Sequence, residues 1–560
     1  MTKISLPSKR QVGHLTLLRQ GREISLTEYN ALTAAEQLQM IHQAQGKQKY
    51  DLLINTQYVE KLVPQLHPQE LYLTINLLGA EYSTELLALA STEQLTTLLD
   101  LDCWDGDTLS PVLSLSWLEL LLGTGEDKVC QLAREMEPEI FTLFFKKHLV
   151  ITRGLEAYDD DNAENAKRME GIYDIDYRSE NAAKIIGAIL NIWQSREQES
   201  FLLIMEMTRG ESLTVLEEEV YQTRSNRLLD LGIIPAIEAK EIYSYSDPET
   251  FRPGGKGDFH IEADNLQNPA ALLACAEPHN LLAELLSHGL NHGIASELLL
   301  LANRKMSADN VDISDIGGVT EALQATYDTL NLALEFLTKS DVEKAEEVFH
   351  NTYLLHLFQL GSSLIKKQQR RGQKIHTGQI YPFLDYPELL FIDSLLQTPP
   401  FLYLESNQGE TSQLQPLSSI DNLNRVDSRL TQVESLHRLF TDDLPFDLQQ
   451  PKTAEGTPTL SGIFLTAVAN QLLERDFAPT PLTRDDVSQL KNKTFIDGEI
   501  SDLFTRDIDQ SMQQLAPDCD FFTQFCLDIW DQIFKNSDLS ADDSPVFNTL
   551  LIASSLSDNQ

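Results

Sequence analysis

The chain has 560 residues, with 43 Lys and Arg against 85 Asp and Glu, a net charge of −42. Hydrophobic residues make up 42% and aromatics 8%, enough for a sizeable core, which excludes wholesale disorder. Spread over the roughly 20,000 Å² surface of a single globule of this length, the excess charge repels nucleic-acid phosphates and anionic lipid alike, so no nucleic-acid partner is expected.

Five cysteines (Cys103, Cys130, Cys275, Cys519 and Cys526) are too few and too scattered for a disulfide framework, and no CxxC pair occurs. The first ten residues carry Lys3, Lys9 and Arg10 with no apolar h-region behind them, unlike a secretory signal. No run reaches the roughly 18 apolar residues of a membrane span. The most apolar segment, residues 111–122, contains Glu119 and is predicted as a buried helix. Together these place the chain in the cytoplasm.

In chain order, the first 150 residues repeat one local phrase. Thr33-Ala34-Ala35-Glu36, His67-Pro68-Gln69-Glu70, Ser83-Thr84-Glu85, Ser91-Thr92-Glu93-Gln94 and Glu137-Pro138-Glu139 each set a cap or Pro ahead of Glu and an aliphatic. Each phrase predicts a helix start, with a carboxylate near the positive end of the dipole. Starts this dense imply short helices that must stack on neighbours, the logic of a solenoid; the alternative is a set of unrelated short helices in one globular domain. Residues 156–165, with Asp159-Asp160-Asp161, read as an acidic linker. Ser179 is the predicted cap of a helix whose apolar stripe runs Ala182, Ile185, Ile186, Ile189, Leu190, Trp193. Pro248, Pro253, Gly254, Gly255 and Gly257 break residues 246–257. Ser340-Asp341-Val342-Glu343 is a capping box opening a helix that meets no Gly or Pro until Gly361. Phe401-Leu402-Tyr403-Leu404 is the best strand pattern, and residues 430–440 predict a short helix inside a polar stretch. The apolar run 546–553 is expected to dock back.

These breaks give five blocks: an N-terminal helical array, 1–155; a helical block, 166–245; a central helical block, 258–397; a polar connecting region, 398–461; and a C-terminal helical block, 462–560. The fold class is all-α, an irregular solenoid-like helical array with little strand.

Motifs for chemistry are few. Gly254-Gly255-Lys256-Gly257 lacks the phosphate-loop frame, and Gly123-Thr124-Gly125 lacks the third glycine of a dinucleotide fingerprint; both read as turns. Gly361-Ser362-Ser363-Leu364 lacks the second glycine of a nucleophile elbow. Glu284, His288 and His292 fall at i, i+4 and i+8, one face of a helix and a geometry for zinc or iron, although Gly289 and Gly293 weaken that helix. Glu347/His350 and Glu434/His437 have the Glu-x-x-His spacing of di-iron bundles, a frequency that chance produces at this composition. Asp100, Asp102, Asp105 and Asp107 with Gly106 have the wrong spacing for a calcium loop and read as a charged turn with Trp104 packed inward.

Lys366, Lys367, Arg370, Arg371 and Lys374 form a basic cluster in an acidic chain. Two readings are open: cations in the last turn of a helix ending near Gly372, opposite its negative dipole end, or a knob that docks an acidic partner, including a second copy.

Residues 99–107, Leu99-Asp100-Leu101-Asp102-Cys103-Trp104-Asp105-Gly106-Asp107, with Trp117 and the stretch Asn351-Thr352-Tyr353-Leu354-Leu355-His356-Leu357-Phe358-Gln359-Leu360-Gly361, resemble a bacterial family catalogued only as a domain of unknown function. That resemblance spans most of the chain and implies no activity, cofactor or catalytic residue. The helix-start phrases of residues 30–150 are also loosely similar to the superhelical N-terminal domains of bacterial magnesium transporters and of a flagellar motor switch protein, which serve in regulation and protein contact. The expectation is an acidic cytoplasmic interaction scaffold or regulator without a cofactor, its partners being other proteins or itself. The alternative is a metal-dependent enzyme with a carboxylate–histidine centre inside a helical bundle.

Overall fold

The computed structural model describes residues 3–5, 23–44, 46–153, 173–257, 280–287, 292–404, 413–444, 446–448, 457–496, 499–535 and 545–553. Helices dominate, and strands pair only as two-stranded antiparallel sheets. The fold is all-α. Two compact units divide the chain, Met1–Leu360 and Gly361–Gln560.

In the first unit, α1 (Ala34–Gln43) opens on a capping box in which Thr33 and Glu36 satisfy each other's backbone N–H. α2 (Gly46–Ile54) follows, and α3 (Pro68–Leu78) starts on the expected His67-Pro68 phrase, His67 accepting the Gln69 N–H. Ser83 does not open a helix. Gly79, at φ 83°, ends α3 and starts α4 (Ala80–Leu89) at once, so the Ser83 phrase falls inside α4. The left-handed φ is the reason: glycine reverses the chain without a linker. Ser91 and Gln94 form the box that opens α5 (Thr92–Asp102).

A small hairpin, Trp104–Asp105 against Thr108–Leu109, leads into α6 (Pro111–Gly123). α6 is not wholly buried as expected: Ser114, Trp117, Leu118 and Leu121 face the core, while Val112 is 74% exposed. The Gly123–Gly125 turn joins it to α7 (Glu126–Glu135), and Glu137-Pro138 opens α8 (Pro138–His148). α9 (Glu180–Arg196) has Ser179 as its cap and buries the six expected stripe residues. With α10 (Gln198–Gly210) and α11 (Leu213–Asp230) it completes the first core. There Trp193 sits edge-on to Phe141 at 5.0 Å and donates to the Val129 carbonyl at 2.9 Å.

A second core of this unit gathers α12 (Leu281–Ser287), α13 (His292–Ala308), α14 (Ile316–Thr338) and α15 (Val342–Asn351) with the start of α16 (Leu354–His376). A reciprocal amide pair ties α3 to α13, Gln69 and Asn303 exchanging two 3.0 Å bonds. Two sequence expectations need correction here. Lys339 and Ser340 both adopt left-handed φ, so the cap of α15 is Asp341, which accepts the Lys344 N–H. The helix also stops at Asn351 with no Gly or Pro present. The Gly254–Lys256 turn docks on the break: Thr352 accepts the Gly254 N–H, Asn351 accepts the Lys256 N–H, and Glu297 accepts the Leu354 N–H at 2.7 Å.

The second unit contains α17 (Tyr386–Leu396), the expected Phe401–Leu404 strand paired with Gln413–Pro416, and α18 (Ile420–Arg438). α18 starts ten residues before the helix predicted at 430. Its polar first turns hid the period, yet Leu423 and Val426 are buried beside Leu430 and Val433. α19 (Leu460–Leu472), α20 (Arg484–Thr494), α21 (Asp502–Leu515) and α22 (Asp520–Lys535) surround Trp530 and Phe522. α23 (Pro545–Thr549) and the residues after it dock as expected. Leu551 accepts from the Leu482 N–H and donates to Thr466 Oγ1 at 3.0 Å, and Val546, Leu550 and Leu551 are buried.

Candidate functional site

The acidic stretch at residues 100–107 divides into two pairs with different fates. Asp100 and Asp102 lie on the last turn of α5 and tie helices together. Asp105 and Asp107 flank the exposed hairpin tip at Gly106, whose φ is 62°. Asp100 is buried and takes a bidentate bond from Arg227 of α11, at 2.7 and 2.9 Å; the same guanidinium reaches Glu137. Burial pushes the Asp100 carboxyl up against the pull of the Arg227 hydrogen bonds and charge. Asp102 accepts from Tyr72 of α3 at 2.7 Å and from the Trp117 indole of α6 at 2.6 Å. Arg224 lies 5.1 Å over the Trp104 ring and donates to the Asp100 carbonyl. The node joins five elements and leaves no carboxylate of the pair open to a ligand.

A second buried cluster escaped the sequence reading. Glu70 of α3 is 2% exposed and accepts from Lys49 of α2 at 2.6 Å, while His42 of α1 places Nδ1 3.1 Å from it. Burial raises the carboxyl, but Lys49 and His42 together outweigh that and hold it at about 2. Neighbouring His67 is driven down to about 4, chiefly by burial, against the opposing charge of Glu70. His42 Nε2 has no partner among the described residues. The only local signal was Glu70 in the His67-Pro68 phrase, read as a first-turn carboxylate; its partners sit on other helices.

The basic cluster lies along α16, which runs on to His376. Gly372 does not end it: this residue is buried within the helix, and a methyl there would meet Leu395 at 3.1 Å. The five cations differ in burial. Arg371 turns inward and grips α18, bonding Glu434 at 2.9 Å through two nitrogens and Asp427 at 2.7 Å. Lys366 is half-buried, and burial, with the nearby Arg370 charge, lowers its pKa. Lys367, Arg370 and Lys374 are exposed.

A family model described as a family of unknown function, DUF6178, matches residues 26–554. The chain belongs to DUF6178. Searches of curated proteins and of solved structures return no match. The DUF6178 match encloses both passages on which the family resemblance rested, and each serves packing here: residues 99–107 form the node above, and residues 351–361 form the α15–α16 break.

The remaining candidates of the DUF6178 chain fall on separate elements. Glu284 stands on α12 and His292 opens α13; His288, and with it the helix face the three were expected to share, lies outside the described residues. Glu347 and His350 are exposed on α15, where His350 Nδ1 bonds the Glu346 carbonyl at 2.8 Å. Glu434 is engaged by Arg371, and His437 sits one turn further along α18. Among the described residues no group of three or more His, Cys, Asp or Glu is arranged to hold a metal ion, and no helix is long and apolar enough to cross a membrane. The glycine motifs are turns or helix interior: Gly125 (φ 103°) before α7, Gly254 and Gly255 (φ 112° and 85°), and Gly361–Leu364 buried within α16. Cys103, Cys130, Cys519 and Cys526 are free and buried; Cys275 lies outside the described residues.

Proposed function

We propose that the DUF6178 chain is an acidic, cytoplasmic helical scaffold or regulator that works by contacting other proteins. One observation carries the reading: ion pairs among the described residues hold helix to helix. Asp100 with Arg227, Glu70 with Lys49 and Arg371 with Glu434 each bridge two helices. A reaction centre needs groups left open toward a substrate. What faces outward is charge, with large apolar side chains set among it, such as Ile237 at 88% exposed and Tyr386 at 68%. The buried free thiols fit a reducing compartment.

Crosslinking and mass spectrometry on the full chain in native lysate test this reading. Recurrent crosslinks to the same partner, thinning as salt is raised, are expected. Incubating the purified chain with a metabolite extract gives the opposing test, because catalytic depletion of any metabolite would overturn the scaffold reading.

A further inference from the structure

Resting on the protein-contact reading, we propose that the outer edge of the strand Asp174–Tyr177 takes up an extended segment of another protein, one that alternates basic and apolar side chains. This strand runs antiparallel to Leu149–Arg153, with Val150 against Asp176 and Ile151 against Ile175. One residue beyond the ladder, the Arg178 N–H bonds the His148 carbonyl at 2.8 Å. Hydrogen-bonded pairs alternate along an antiparallel ladder. Asp176 therefore turns its N–H and carbonyl toward Val150, while Ile175 and Tyr177 turn theirs to the opposite edge. Those four outward groups bond no other described residue. Helices α8 and α10 pack against Leu149–Arg153, and the break in register, between Ile151 and Arg153, also lies on that strand. The edge beyond Asp174–Tyr177 stays regular, the condition for adding a further strand.

The side chains make that edge selective. Ile175 and Tyr177 pack against the first core, whereas Asp174, Asp176 and Arg178 alternate with them and are exposed. None of these three makes an ion pair with another described residue. A strand laid antiparallel on the edge exchanges backbone bonds with Ile175 and Tyr177, and its residues opposite those two fall on the core side, where apolar groups fit. Its residues opposite Asp174 and Asp176 fall at the positions between the bonded pairs, where side chains approach most closely. Basic groups there, with an acidic one opposite Arg178, complete three cross-strand pairs of opposite sign. The net charge of −42 draws such a segment in and repels acidic ones. A second copy is a poor occupant: pairing Ile175 with Tyr177 across two copies sets Asp176 against Asp176, and the two acidic chains repel as wholes.

Fluorescence anisotropy of the full chain with a labelled peptide, Glu-Val-Lys-Val-Lys between Gly-Ser flanks, is the test. Binding that weakens as salt is raised is expected, with the Ile175 and Tyr177 amides gaining protection from hydrogen exchange only when the peptide is present. A charge-swapped peptide, Lys-Val-Glu-Val-Glu, should not bind, nor should one with Pro in place of both Val, which lacks the N–H donors the edge needs. D174K/D176K should weaken binding about tenfold or more. Circular dichroism checks its fold, and D174N/D176N, which removes the attraction alone, replaces it if it unfolds. The inference is overturned if the first peptide does not bind, if all three bind alike, or if the variant binds as wild type does. Protection of the two amides in the free chain also overturns it, since the edge is then already covered. If the peptide fails while crosslinks to other proteins persist, only this inference falls. Loss of those crosslinks as well would take the scaffold reading with it.

Discussion

Replacing His67 with Asn isolates the acid sensitivity of the helices around Glu70. In the folded chain burial lowers the His67 pKa from 6.5 to about 4. Between those pH values the unfolded state binds a proton that the folded state refuses, so stability falls as the pH drops below 6.5 and levels off near 4. Each unit is worth about 1.4 kcal/mol, giving a total loss of about 3 kcal/mol. Glu70 acts in the same direction but lower: its carboxyl is held at about 2 against an ordinary 4.5, so its contribution is intact above 4.5 and is lost below it. Of these two groups, only His67 acts in the window from 6.5 down to 4.5. Asn still accepts the N-terminal N–H of α3 as a cap but does not titrate. Hydrogen exchange of α3 amides, corrected for intrinsic rates, reads the local opening free energy. In that window wild type should lose about 1.4 kcal/mol per pH unit more than H67N. Equal slopes in the two proteins would refute the assignment.

Three further outcomes are expected. D100A removes both acceptors that bind the Arg227 guanidinium at this buried site and should destabilise the first unit by about 3 kcal/mol; D100A/R227M should cost less than the sum of the single changes in chemical denaturation. G462A sets a methyl against the Thr549 carbonyl, so hydrogen exchange in residues 545–553 should accelerate while α17 amides keep their protection. Burial raises the pKa of Asp328 on α14 from 3.8 to about 6, so its folded carboxyl takes up a proton first and stability gains as the pH falls through that range. D328N should therefore raise stability at pH 7 by about 3 kcal/mol and abolish the gain, as followed by denaturation at stepped pH.

Helix starts were legible because capping chemistry is local. Thr33 with Glu36, Ser91 with Gln94 and Ser179 ahead of its stripe each carry the whole signal within a few residues. Where two adjacent residues are both able to cap, as at Ser340 and Asp341, backbone geometry decides, and the left-handed pair at Lys339 and Ser340 leaves no mark in composition. The α15–α16 break is set by a turn 98 residues away in sequence. The same distance problem hid the interior charges: Arg227 finds Asp100 across 127 residues, and to a reader of the sequence each looks like a solvated surface group. The basic cluster was visible at once, but the pairing of Arg371 with Asp427 and Glu434 depends on α18, more than fifty residues away.

The docking of Leu550 and Leu551 onto α19 also orders events during synthesis. Until residue 551 has left the ribosome, the second unit has no means of covering the α19 side chains that face it, however early α17 to α22 emerge. Nascent or prematurely released chains ending before that point would present this apolar face to chaperones and proteases. A stop codon introduced a few residues upstream of Val546 would therefore lower the amount of protein in the cell far more than the small loss of mass suggests.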